Sequence, residues 1–292
     1  MKHDVLMANL GDDPSQYRSV GTLAKLRTFV VRDAKIWWTY KMWVLLDLMS
    51  TLTFVITYAV LSRIVSPDRL VAGGYTRGGY LAFSVVGIAF QQYVFSSVLG
   101  ISEAIRDEQW FGTMETILSS PTSFRVFLLG ESIFRFIIST VLLLGAVGLG
   151  IALGATFQIS LAIVGSVALL SILMVFSHLA IGIASAGVIM KIKQGDPVAW
   201  AFSWVTQLVS GVFYPLNVLP GYLRWVGLAF PLTYSLDGVR LCLMGGQTIA
   251  NPAVAQNVLW LCIFIAIAIP LSLYLFKIGY DSSRRDGSLG QY

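Results

Sequence analysis

The sequence predicts an all-α integral membrane protein with six transmembrane helices. Three observations lead there. Of the 292 residues, 56% are hydrophobic and only 12% are charged, about half the charged share of a soluble domain. Apolar runs of roughly 20 residues recur, each long enough to cross a bilayer as a helix. The runs do not alternate in polarity, as a spanning strand of about ten residues does.

Residues 1 to about 18 are polar and expected in the cytoplasm. Asp4, Asp12, Asp13 and Pro14 interrupt the apolar core that a signal peptide needs. Insertion is therefore expected through the first span. Residues 19–41 have the pattern of an amphipathic helix lying on the membrane surface. Lys25, Thr28, Arg32, Lys35 and Thr39 fall on one face, and Leu23, Leu26, Val30, Ala34 and Trp37 on the other. Arg27 and Asp33 break the pattern slightly. Trp37, Trp38, Tyr40 and Trp43 form an aromatic belt where the chain enters the bilayer.

The spans are expected near 42–64, 80–102, 126–154, 160–190, 198–216 and 254–277. Pro67, Asp68 and the glycines of 66–79 make a turn, and Lys191 to Pro197 makes another. This divides the chain into an N-terminal unit (1–41), a membrane domain (42–278) and a C-terminal tail (279–292), with both ends in the cytoplasm. With that topology fifteen Lys and Arg lie inside and five outside, as the positive-inside rule requires.

Residues 217–252 are apolar but broken by proline. Pieces near 219–229 and 232–244, set off by Pro215, Pro220 and Pro231, are too short to span. They fit two half-helices that enter and leave one leaflet, packed against protein. An external loop with some apolar residues is the alternative. Asp237 and Arg240, three apart, could pair across a turn.

The net charge of +5 does not point to nucleic acid, because the basic residues sit at span ends. Cys242 and Cys262 lie in apolar stretches without CxxC spacing and are expected as buried free thiols. No clustered His, Cys, Asp or Glu suggests a metal site or a catalytic centre. No GxxxxGK[ST] loop occurs, so this chain has no phosphate cradle of its own. Leu243-Met244-Gly245-Gly246-Gln247 resembles an ATPase signature but is expected as a glycine turn ending a half-helix. His178 lies inside the fourth span. It is either a substrate or proton contact or an interhelical hydrogen bond. Asp47, near the start of the first span, either pairs with a base or sits at the headgroups. Small residues in the third span (Gly145, Gly148, Gly150, Gly154) and the fourth (Ala180, Gly182, Ala184, Gly187) imply close helix packing.

The polar segment after the second span holds a short amphipathic helix over 113–119, with Thr113 as cap and Pro121 as stop. Met114, Ile117 and Leu118 form its apolar stripe, while Glu115 and Thr116 point elsewhere. The stripe needs cover, either from a groove on a soluble protein or from the lipid surface.

The pattern E-x3-GT-x-E-x-(I/L)-L-x2-P-T-S, from Glu108 to Ser123, resembles the coupling-helix segment of ABC-2 type permeases, with daunorubicin-resistance-like drug exporters as the nearest group. Ser210-Gly211-Val212-Phe213-Tyr214-Pro215 through Leu219-Pro220, and Pro231-Leu232-Thr233-Tyr234 to Asp237 and Arg240, resemble the second signature of the same family. Trp110-Phe111 departs from the smaller or more polar residues expected before Gly112.

The resemblance implies a permease subunit of an ATP-driven exporter. A cytoplasmic coupling helix near 108–120, carried by Glu108, Gly112, Thr113, Met114, Glu115, Ile117, Leu118 and Pro121, would dock on a separate ABC ATPase. The re-entrant hairpin near 217–245, with Pro215, Pro220, Pro231, Thr233, Tyr234, Asp237 and Arg240, would close the external exit. Two ATPase copies binding ATP and Mg would drive two permease chains, expected as a homodimer in the cell membrane. The cargo would be a lipophilic drug, lipid or glycolipid. A polysaccharide exporter is the alternative within this architecture, and a non-transporting ABC-like assembly component lies outside it.

Overall fold

The computed structural model describes residues 21–64, 79–120, 122–192 and 197–285, and the regular structure among them is helical. The expected N-terminal tail lies outside these residues, as do the turn at 66–78 and the end of the C-terminal tail.

Helix α1 (Thr22–Thr39) is separated from α2 (Lys41–Leu61) by Tyr40, whose φ of −90° and ψ of 68° break the hydrogen-bond ladder. Then follow α3 (Gly79–Trp110), α4 (Met114–Ser119), α5 (Phe124–Ala152), α6 (Leu161–Ile192) and α7 (Pro197–Val209). After a 3-10 turn at Leu216–Val218 come α8 (Gly221–Leu228), α9 (Pro231–Leu243) and α10 (Pro252–Arg285). Trp38, Tyr40 and Trp43 are exposed, as an aromatic belt requires.

Among the described residues, five helices are long and apolar enough to cross a membrane: α2, α3, α5, α6 and α10. Each carries one expected span. The expected span at 198–216 is different. Its helix, α7, has 13 residues and rises about 20 Å, short of the ~30 Å hydrocarbon core. Gly211, at φ 78°, turns the chain after Val209. Apolar residues run on past that turn, so hydropathy alone does not mark it. At the other extreme, α3 continues beyond residue 102 to Trp110, and α10 beyond 277 to Arg285. Both gain polar turns that composition discounts.

Burial orders the helices. The apolar window of α3 is 78% buried, against 6% for α2. Thus α3 is the central helix and α2 a peripheral one. The largest core joins Phe90, Val94 and Val98 of α3, Leu170 and Met174 of α6, Leu232, Leu236 and Val239 of α9, and Leu261 of α10. Cys242 is buried as expected. Cys262 is exposed instead, because it lies on an outward face of α10, whose window is only 11% buried.

Small residues let backbones touch. A Cβ on Gly182 would stand 2.5 Å from the Ser97 carbonyl oxygen of α3, and one on Gly279 of α10 would stand 2.0 Å from the Gly187 carbonyl oxygen of α6. Those neighbours are backbone and cannot rotate aside. Gly145 differs, since a Cβ there meets nothing within 4 Å. Gly279→Ala is expected to lower stability by about 1–3 kcal/mol through overpacking, and Gly145→Ala to leave it unchanged or slightly raised. Thermal unfolding of both variants in one detergent checks this. Equal midpoints would contradict the α6–α10 contact.

Candidate functional site

The chain leaves α3 at Trp110, reverses through Gly112 and enters α4. The reversal needs Gly112, whose φ is 69°, a left-handed value that a side chain disfavours. The Thr113 amide closes the turn on the Glu108 carbonyl oxygen at 2.9 Å. Thr113 stands at the N-cap position, as expected, but makes no side-chain cap. Its hydroxyl instead donates back to the Glu108 carboxylate. The helix stops at Ser119, and Ser120 is extended (ψ 157°), the conformation imposed on a residue before proline. Ile117 packs on a core cluster with Phe29 of α1, Ile105 of α3 and Phe127 of α5. Pro121 and the side chains of Met114, Glu115 and Leu118 lie outside the described residues. Trp110 and Phe111 are 78% and 75% exposed.

Glu108 also belongs to an ion-pair network centred on Arg32. Arg32 of α1 donates from Nη1 to Glu108 Oε1 at 2.9 Å, from Nε to Asp33 Oδ1 at 2.9 Å, and from Nη2 to Glu131 Oε1 of α5. One guanidinium fork therefore joins the surface helix, the end of α3 and the start of α5. Beside it, Arg135 lies across Gly100, where a Cβ would be 2.6 Å from its Cδ, and donates to Glu103 at 3.0 Å. The approach of α1 rests on Gly130, since a Cβ there would meet Phe29 at 2.6 Å. Burial opposes the Arg32 charge, but the carboxylates of Glu131, Asp33 and Glu108 outweigh it, and its pKa rises above the ordinary value. Burial pushes the Asp33 carboxyl up, and the Arg32 bond offsets only part of that.

This network corrects the reading of α1. Arg32 was expected on the basic face of a helix lying on the membrane surface, with Asp33 as an irregularity. The structure turns both inward: Arg32 meets Glu108 and Glu131 there, and Asp33 is held by Arg32. Neither Arg32 nor Glu131 stood out as functional in the sequence. The available signal was Glu131 itself, an acid inside an apolar run, which requires a basic partner.

The second candidate element is the proline-broken segment. Ten of the 13 residues of α9 are buried, and α9 packs against α6, α10 and α3. That burial fits a half-helix packed against protein for α9, whereas Tyr222 and Trp225 of α8 are exposed. Pro220 precedes α8 and Pro231 opens α9, where a missing amide costs nothing. Pro215, extended, leads into the 3-10 turn. Thr233 donates to the Gly227 carbonyl oxygen at 2.6 Å and Tyr234 to that of Leu228 at 2.7 Å, tying α9 back to α8.

Arg240 anchors the hairpin. Its side chain is fully enclosed, with the residue 2% exposed. Nη1 donates to the Gly211 carbonyl oxygen at 2.7 Å, and Nη2 to those of Val212 and Phe83, each at 2.9 Å. The guanidinium carbon lies 3.4 Å from the centroid of the Phe83 ring, a cation–π contact. Gly87 makes room for it, since a Cβ there would be 2.1 Å from the Val212 oxygen and 2.7 Å from Nη2. Asp237 accepts from Asn257 of α10 at 2.8 Å. A guanidinium presents five N–H donors in a fixed fork. Here they gather carbonyls from the end of α7 and the start of α3.

The two isolated polar residues are not drawn into either element. Asp47 accepts from the Trp37 indole at 3.4 Å, so its partner is an aromatic N–H and not a base. His178 is fully buried and donates from Nδ1 to the Met174 carbonyl oxygen at 2.8 Å, within its own helix. The glycine turn is as expected. Gly246 has φ 69°, and its amide reaches the Cys242 carbonyl oxygen at 3.0 Å.

A model of one protein family, described as ABC-2 type transporter, matches residues 25–244. The match takes in α1, the α3–α4 turn and the hairpin. No curated protein matches the chain.

Proposed function

Because the chain belongs to the ABC-2 type transporter family, as a membrane permease component whose relatives normally partner an ABC ATPase, we propose that it is the permease of an ATP-driven exporter. The carrying observation is the Arg32 network. A push on α4 reaches Glu108 through Thr113, and from Glu108 one guanidinium passes it to α1 and α5. Three elements therefore move as one when a partner pulls on α4. Trp110 and Phe111, exposed beside Gly112, supply the apolar surface that an ATPase groove covers.

In this reading two ATPase subunits bind ATP and Mg and dock on α4 in two copies of the permease. The complex sits in the cytoplasmic membrane, and the cargo is a lipophilic drug, lipid or glycolipid moved outward. The hairpin anchored by Arg240 closes the outer end. Purification from native membranes in mild detergent is expected to yield a stoichiometric P-loop subunit. The reconstituted complex is expected to load a lipophilic fluorescent dye into inside-out vesicles only with ATP. A preparation with no ATPase, even after crosslinking, would overturn the proposal.

Gly112→Val is expected to keep the spans folded and ATP hydrolysis active while dye transport falls about ten-fold. The substitution forces a β-branched residue into a left-handed turn and displaces α4. Transport and hydrolysis assayed on the same vesicles decide it. Unchanged transport would remove α4 from the coupling path.

A further inference from the structure

A cavity of about 80 Å³ lies between α2, α3, α5 and α7. Its lining contains no ionisable side chain. Instead it holds Ser50, Thr51, Gln91, Gln92 and Gln207, with three phenylalanine rings and aliphatic residues around them. Gln91 is 4% exposed, and neither its carboxamide oxygen nor its nitrogen meets a partner among the described residues. It lies about 18 Å along α3 from Gly79, close to the middle of a bilayer core. Carboxamides are seldom left unpaired at such depth, because no bulk water is there to satisfy them.

The Ser50 and Thr51 hydroxyls donate to the Asp47 carbonyl oxygen of their own helix, so toward the cavity they offer acceptor lone pairs. The glutamines offer both donors and acceptors. The outer wall is α2, the least buried of the spans.

We infer that this cavity is a cargo subsite that takes an uncharged group able to donate and accept hydrogen bonds at once, an amide or a hydroxyl, on an otherwise apolar molecule. An ionised headgroup has no counter-charge there. A pure hydrocarbon leaves Gln91 unpaired. The terminal torsion of a glutamine is soft, so its carboxamide can turn to meet an arriving amide. Calling the ligand cargo rests on the permease reading. The binding itself does not, because it needs no ATPase.

The test is photolabelling of the purified full-length chain in lipid nanodiscs with a diazirine-tagged long-chain primary amide. A diazirine-tagged hydrocarbon of equal length serves as the control. The amide probe is expected to label peptides covering 88–95 or 207–213, and excess unlabelled amide is expected to compete. Gln91→Leu is expected to cut that labelling about ten-fold while the protein stays as thermally stable as wild type, since losing an unpaired buried amide removes a penalty. Gln91→Asn is expected to keep part of the labelling. If Gln91→Leu does not fold, Gln207→Leu is measured in its place. Equal labelling by the hydrocarbon, no competable labelling, or full labelling of the Leu variant would each overturn the subsite. Failure to find an ATPase would overturn the exporter reading and leave the labelling result standing.

Discussion

Arg240→Ala is expected to produce the largest loss of stability of any single change in the membrane domain, about 3–5 kcal/mol. Three carbonyl oxygens, at Phe83, Gly211 and Val212, lose a charged donor together. Each buried acceptor left unsatisfied costs about 1–3 kcal/mol, partly relieved by rearrangement. The ring of Phe83 loses its cation as well. Lysine is not expected to rescue the site. A single ammonium cannot spread its donors over carbonyls from two helices as a planar fork does. The measurement is thermal unfolding of wild type, Arg240→Ala and Arg240→Lys in one detergent, with protease cleavage in 210–220 read at a temperature where all three remain folded. Faster cleavage there, with α2 and α5 still protected, would show that the hairpin is released first. An Arg240→Ala midpoint equal to wild type would mean that the guanidinium does not hold the hairpin.

Arg32→Ala is expected to have the largest effect on coupling. The guanidinium stands at the junction of α1, α3 and α5, and Glu108 links it to the turn before α4. Without it Asp33, Glu108 and Glu131 are left as neighbouring acids, and like-charge repulsion opens the junction. The cost in stability is modest, about 1 kcal/mol, because roughly a third of the Arg32 side chain is solvated. Transport per ATP hydrolysed is expected to fall at least ten-fold, with ATPase binding retained. Charge exchange, Arg32→Glu with Glu108→Arg, is expected to recover part of the loss, since the 2.9 Å pair can form in the opposite sense. Glu131 is left facing a second acid in that variant, so recovery stays incomplete. Coupling unchanged in Arg32→Ala would make the network a purely structural brace.

The spans were legible because long apolar runs have few alternatives in a bilayer. The short α4 was legible too, since its boundaries follow local rules, a turn glycine before it and a proline after it. What the sequence hid was long-range. Arg32 meets Glu108 and Glu131 across 76 and 99 positions, and Arg240 meets Phe83 across 157. Local spacing proposed nearer partners in one case and lipid headgroups in the other. The end of α7 was hidden for another reason. The residues on both sides of Gly211 are equally apolar, and a left-handed turn leaves no mark on hydropathy. The cavity was least legible, because Ser50, Gln91 and Gln207 are spread over three helices and mean nothing until those helices pack.

The Arg240 anchor also bears on how the chain is made. The carbonyls of Phe83, Gly211 and Val212 that the guanidinium meets belong to an earlier part of the sequence. During synthesis from the N-terminus the acceptors leave the ribosome before the charge does. A cation costly to place in hydrocarbon alone therefore reaches the membrane only after the residues that will receive it. The order of residues along the chain doubles as an order of assembly.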